Sequence, residues 1–368
     1  MRGIVYDGES TTLVEGLELR SPGPREVVVE IVAAGMCHSD LSFMSGLYPW
    51  PVPAVCGHEG AGIVAEVGEA VTHVKPGDHV IIATLAACGF CEQCNNGRPT
   101  SCRQTLGNAS EIFTLEGKGV SNFAAASVFA DRTVVRDVQV VPIPDDVPLT
   151  SAALVGCGVV TGMGAVLNRA NVQLGQTAAV FGVGGVGLNV IQALKVKGAR
   201  RIVAIDVAPD KEALAKQFGA TDFLDGSRDD IVDAIVALEP FSDESPRGPF
   251  NAGGVDWSFD CVAFPDVTSN ALEALDWGGT CVVIGVSGMT TEFHGLYQRL
   301  TQVDRGIIGC RAGTISPQRD IPLIIDLYRR GEILLDELVS VTYPMAEFEK
   351  AIHAMESGSI ARGVLTFT

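Results

Sequence analysis

An apolar stretch, TAAVF, runs into Gly182-Val183-Gly184-Gly185-Val186-Gly187 and then into the helix-like segment LNVIQALKVKG. A buried strand that must turn sharply into a helix leaves few folds open. The glycines permit a tight turn and close helix-to-strand packing, and the helix start offers unpaired N–H groups and partial positive charge to a pyrophosphate. By itself G-x-G-x-x-G is weak, and an ordinary glycine-rich turn is the plain alternative. Here the next strand, RRIVAID, ends on Asp206, 19 positions beyond Gly187. An acidic side chain there accepts from the adenosine ribose hydroxyls and repels a 2′-phosphate, which favours NAD over NADP. Strand and helix-length segments alternate from about residue 159, and repeated βαβ units imply a parallel sheet.

The first part of the chain has another texture. Short strands, EVVVEIVAAG (26–35), GAGIVAEVGEAV (60–71) and DHVIIATLA (78–86), are separated by Gly and Pro, the mark of a β-rich domain. Further strands are expected at VDWSFDCVA (255–263) and GTCVVIGVSG (279–288), with ALEALDW as helical material and the polar 239–254 stretch as a surface loop. IPLIIDLYRRGEIL and MAEFEKAIHAMESG pattern as amphipathic helices stopped by Gly. At 368 residues the chain suits two domains. Its 26 basic against 44 acidic residues give a net charge of −18, which repels a phosphate backbone and excludes sequence-independent nucleic-acid binding. With no apolar run near 18 residues and no signal-peptide layout at the N-terminus, we expect no membrane partner and a cytoplasmic protein.

Ten cysteines then point to metal binding, catalysis or burial. Cys88, Cys91, Cys94 and Cys102 are spaced C-x2-C-x2-C-x7-C, and four thiolates so close can enclose one tetrahedral Zn²⁺ with no position left for substrate. An iron–sulfur cluster is the rival, disfavoured by the x7 gap and by the absence of Pro after the last Cys. A second set is Cys37-His38-Ser39-Asp40, Gly57-His58-Glu59 and Gly156-Cys157-Gly158. Cys37, His58 and Cys157 together would supply three ligands and leave one position open, as in catalytic zinc. Singly, each reads as well as a buried thiol or a hydrogen-bonded histidine.

In order and content these motifs resemble the zinc-dependent alcohol dehydrogenases of the medium-chain dehydrogenase/reductase family. Gly57-His58-Glu59 with Gly62, Gly68 and Val71 is similar to that family's zinc signature, and the likeness runs over essentially the whole chain. The resemblance implies an α/β protein with a GroES-like β-rich catalytic domain, 1–158 with 314–368 returning to it, and a Rossmann doubly wound parallel sheet at 159–313 that binds NAD. It implies Cys37, His58 and Cys157 on catalytic zinc, Asp40 orienting His58, Glu59 beside the metal, Ser39 relaying the proton, and the four-cysteine lobe on structural zinc, two Zn²⁺ per chain. Thr161 would border the nicotinamide, the main chain of Ile284 and Val286 would hold its carboxamide, Lys211 the adenosine ribose, and Arg362 the pyrophosphate, with Gly182, Gly184, Gly185, Val186 and Gly187 forming the turn. His38 stands where many members carry an arginine, so we expect weaker and more pH-dependent NADH binding. Ser42 replaces the histidine that ends the proton relay in several members. Thr84 replaces a large ring, with Tyr48 and Trp50 as a pocket wall.

The activity implied is reversible oxidation of primary or secondary alcohols to aldehydes or ketones, in a homodimer, with a tetramer as the alternative, for which GTCVVIGVSG with its sequel could serve as the edge strand. Two alternatives stand beside it. One is oxidation of an S-hydroxymethyl thiol conjugate on the same fold, and the other is a non-catalytic nucleotide-binding protein.

Overall fold

The computed structural model describes residues 1–105, 109–240, 253–358 and 360–367. It divides into two compact units, Met1–Val160 with Ile315–Thr368, and Thr161–Thr314.

The first unit holds two sheets. One is six-stranded, in the order Thr11–Val14, Gly3–Tyr6, Ala54–Val55, Lys118–Asn122, Glu111–Leu115, Glu18–Leu19. The other is built around Glu26–Gly35, whose alternating valines and isoleucine are buried in the main core. Around that strand the order is Val140–Pro142, His79–Ile82, Glu59–Val67, Glu26–Gly35, Gly363–Thr366, Val341–Pro344, with Arg132–Arg136 also paired to Glu26–Gly35. Register then does the work of assembly. Gly35 lies opposite Glu59 on one side and Val364 on the other. Cys37 follows Gly35 by two positions, His58 precedes Glu59 by one, and Arg362 precedes Val364 by two, so adjacent strands deliver all three to one end of the sheet. Cys157 arrives at the same end because Gly156 lies against Ile82, where a Cβ would overlap the Ile82 carbonyl, and Ile82 is paired with Gly60.

The second unit is a parallel sheet in the order Asp222–Asp225, Arg201–Asp206, Thr177–Phe181, Val255–Asp260, Leu275–Val283, Gly306–Gly309. Numbered along this unit the strands run 3-2-1-4-5-6, and the switch between the first and fourth is where such sheets bind nucleotides. Two expectations need correction. Of ALEALDW, only its first three residues end a helix, Pro265–Glu273, while Leu275–Trp277 begin the next strand. That strand is also interior, because Gly306–Gly309 pairs along its far side and becomes the edge of the sheet. The base of the expected 239–254 loop is closed by a bridge between Pro240 and Gly253, and residues 241–252 lie outside the described residues. The two later helices run Pro317–Arg329 and Phe348–Glu356, with Gly331 and Gly358 at positive φ just beyond them.

Candidate active site and metal centres

In the first unit, the ligand atoms of Cys37, His58, Glu59 and Cys157 lie within 4.8 Å of one another. Cys37 precedes the short helix His38–Met44, and Asp40 in its first turn accepts from the Cys37 backbone N–H at 3.0 Å. The other Asp40 oxygen is 2.8 Å from His58 Nδ1, both side chains being buried. With Asp40 accepting at Nδ1, Nε2 is left as the ligand nitrogen. One imidazole nitrogen, two sulfurs and a carboxylate form a donor set that suits zinc.

The ionisable groups of the cluster act strongly on one another. The Cys157 thiol donating to it, then His58 and Arg362, hold Cys37 well below the ordinary thiol range, against burial. Burial alone would push His58 down, yet Asp40 and Cys37 outweigh it and raise the imidazole. Burial pushes Glu59 up to about 8 against the pull of Arg362. Both Glu59 oxygens are buried without an aligned hydrogen bond, although Arg362 Nη1 lies 3.2 Å from one of them. A cation at this cluster would supply what that carboxylate lacks.

The four-cysteine lobe passes a similar test. Cys88 and Cys94 sulfurs are 3.9 Å apart and Cys91 and Cys94 3.5 Å, near the roughly 3.8 Å edge of a tetrahedron with 2.3 Å Zn–S bonds. The Cys91 backbone N–H donates to Cys88 Sγ, and the Cys88 N–H to Cys102 Sγ. The backbone N–H groups of Phe90 and then Cys91 lower the Cys88 thiol to about 6. All ten cysteines are free, so the lobe is not a disulfide knot.

In the second unit, Gly184 precedes the helix Gly185–Val196, and a Cβ on Gly187 would overlap the Gly182 carbonyl. Asp206 ends its strand with one oxygen accepting from the Val183 N–H at 2.7 Å and Lys211 paired to it at 3.0 Å. The carboxylate therefore ties the end of this strand to the glycine turn. Ile284 donates its N–H to the Asp260 carbonyl, and Val286 is exposed. Thr161 is half-buried at the start of this unit. Arg362 belongs to the first unit, where its Nη1 donates to the Met36 carbonyl at 2.9 Å and it is only 4% exposed. His38 is exposed at the first position of its helix, and Ser39 is half-buried beside it. Tyr48 is half-buried near the cluster, its phenol raised by burial and then by Cys37. Thr84 donates its N–H to the Gly156 carbonyl.

Sequence reasoning missed two features. The Glu59–Arg362 pair joins residues at opposite ends of the chain, and Phe123 sets its ring edge-to-face on His58 at 5.9 Å. No local pattern signals either, since both depend on strand pairing.

Comparison with known proteins decides the family. Residues 23–145 match the alcohol dehydrogenase GroES-like domain, and residues 185–330 the zinc-binding dehydrogenase family. An S-(hydroxymethyl)glutathione dehydrogenase of Saccharomyces cerevisiae is 36% identical, over 98% of this chain and 95% of that protein. The chain belongs to the zinc-binding alcohol dehydrogenases. A class-3 alcohol dehydrogenase of Cereibacter sphaeroides is 37% identical over 96% of each chain. Among solved structures, the benzyl alcohol dehydrogenase of Acinetobacter calcoaceticus superposes with a TM-score of 0.91 at 32% identity, covering 100% of this chain and 99% of that one. This dehydrogenase is therefore an oxidoreductase of the medium-chain fold whose cofactors are zinc and NAD. Among the described residues no single helix is long and apolar enough to cross a membrane.

Proposed function

We propose that this dehydrogenase oxidises uncharged primary and secondary alcohols, aromatic ones included, with Cys37, His58 and Cys157 holding the catalytic zinc. The reading rests on one observation, the convergence of those ligand atoms with Asp40 bonded to the far nitrogen of His58. Zinc supplies a Lewis acid that lowers a hydroxyl pKa from about 16 toward 7, and NAD⁺ accepts the hydride. Asp40 keeps the proton of the imidazole on Nδ1. Ser39 takes the hydroxyl proton of the alcohol and passes it outward, while Ser42 leaves the rest of that route to water. The alcohol thus loses one proton and one hydride, and aldehyde or ketone leaves. Gly182, Gly184, Gly185, Val186 and Gly187 seat the pyrophosphate at the helix start, and Asp206 with Lys211 selects the ribose. Thr161, Ile284 and Val286 border the nicotinamide. Replacing Cys37 or Cys157 by Ser should abolish turnover while NADH binding survives and the zinc content falls from two to one. Full activity in either variant would sink the ligand assignment.

The similarity to S-(hydroxymethyl)glutathione dehydrogenases supports a second reading, a thiol conjugate as substrate. Two observations weigh against an anionic one. Arg362, the cation at the cluster, is buried and committed to Glu59 and Met36, and the chain carries a net charge of −18. Rates with benzyl and medium-chain alcohols should exceed those with formaldehyde plus glutathione or mycothiol; the reverse order selects the conjugate. We place the protein in the cytoplasm, where ten free thiols stay reduced. We also propose a homodimer, supported by Gly306–Gly309 as the edge of the sheet among the described residues and by the exposed apolar residues that precede it.

A further inference from the structure

His58 is held on two sides. Asp40 at Nδ1, together with Cys37, holds the ring by hydrogen bonds, a restraint that acts in the ring plane and leaves its face unsupported. The second restraint is Phe123, whose ring meets His58 edge-to-face at 5.9 Å and 81°. Phe123 is itself stacked on Phe43 at 4.2 Å and 9°, and meets Trp50 at 5.6 Å and 78°. Phe43 and Asp40 are three residues apart on one helix, so a single helical face carries both supports, Asp40 directly and Phe43 through Phe123.

The backbone that presents Phe123 is unusual. Ala124, Ala125 and Ser127 have φ of 52°, 56° and 50°, left-handed values that side chains disfavour. Such a segment persists only where its surroundings over-determine it, and such segments gather at functional sites. Here the determinant is Ser127, fully buried, whose hydroxyl accepts from the Phe123 N–H at 2.8 Å and donates to the Val55 carbonyl at 2.7 Å. Gln139 and Thr133 hold the Ala125 and Ala126 carbonyls. Val55 lies three residues before His58, so Ser127 ties the ring to the strand that leads into the imidazole it supports.

We infer that Phe123 is a positioning residue for His58, fixed by Ser127, and that it sets how firmly the catalytic metal is held. The inference rests on His58 as a ligand. Phe123→Leu and Ser127→Ala are compared with the wild-type holoenzyme for release of each zinc to 4-(2-pyridylazo)resorcinol, for the visible spectrum after cobalt exchange, and for thermal midpoint. We expect two zinc ions in the wild type, with one released about tenfold faster in both variants, the other unchanged, and a shifted cobalt spectrum. Ser127→Ala deletes only a hydroxyl, so it carries the test should Phe123→Leu fold poorly. A role in packing alone would lower the midpoint and leave release rates and spectrum as in the wild type, which overturns the inference but not the ligand set. A single zinc in the wild type, confined to the four-cysteine lobe, overturns both.

Discussion

Gly158 has no side chain, and the place a Cβ would take is filled by the guanidinium of Arg362. That guanidinium answers Glu59 and the Met36 carbonyl in a region closed to water. Displacing it leaves a carboxyl and a cation buried apart, a change that costs about 3 kcal/mol in comparable sites. Gly158→Ala should lose that much stability in urea, and a loss under 1 kcal/mol would mean that Arg362 moves aside freely. At position 38 the expected change runs the other way: if His38 meets the pyrophosphate, as the family resemblance implies, His38→Arg supplies a bidentate, permanent cation there and NADH should bind about tenfold more tightly. An unchanged Kd by fluorescence titration would remove His38 from the cofactor site. Residues of this kind differ in how far the sequence exposes them. Cys37, His58 and Cys157 stand in short motifs whose spacing and residue type carry the chemistry. Arg362 against Gly158, or Phe123 against His58, comes from register between distant strands, which no window of sequence contains.

Elements were legible where periodicity was uninterrupted and misread where a distant residue sets the boundary. EVVVEIVAAG forms a strand over its full length, Glu26–Gly35, because its apolar positions face cores on both sides. The helix Pro265–Glu273 stops before its apolar pattern does: Arg305 donates to the Leu272 and Leu275 carbonyls, and Leu275 pairs with Val255. The start of Glu26–Gly35 also carries a pH response. Glu26 accepts from Arg20 at 2.6 and 2.8 Å and from the Gly23 N–H at 2.7 Å, and Arg20 first of all holds its carboxyl below the ordinary 4.5 despite partial burial. The folded state therefore binds this proton less readily than the unfolded one, so the stabilisation is complete above 4.5 and is lost as the pH falls through the lower folded value. Glu26→Gln should cost about 1 kcal/mol at pH 7, exposure and screening keeping it small, and the gap to wild type should close on acidification below 4.5. A gap that stays constant with pH would show that Glu26 acts through packing rather than charge.

For the whole molecule, the question that composition poses is how two copies of a chain at −18 could associate. Long-range charge opposes it, so any attraction must be apolar or come from backbone pairing at short range. The second unit offers both in one place. Among the described residues Gly306–Gly309 pairs on one side only, which leaves N–H and C=O groups along the other. The segment leading to it exposes Met289 at 86%, Leu296 at 61% and Tyr297 at 81%, and Phe293 as well. Exposed apolar side chains along one segment next to a sheet edge suit an apolar partner surface. The homodimer we propose should therefore run at twice the chain mass in light scattering, and its dissociation constant should fall as salt screens the mutual repulsion. Met289→Glu with Tyr297→Glu alters side chains that contribute little to the isolated chain, within about 0.5 kcal/mol each, yet adds four charges across a two-fold contact. The double variant should be a folded monomer with its thermal midpoint independent of protein concentration. A wild type that is monomeric at micromolar concentration, or a double variant that remains dimeric, would place the association elsewhere on the surface or dispense with it.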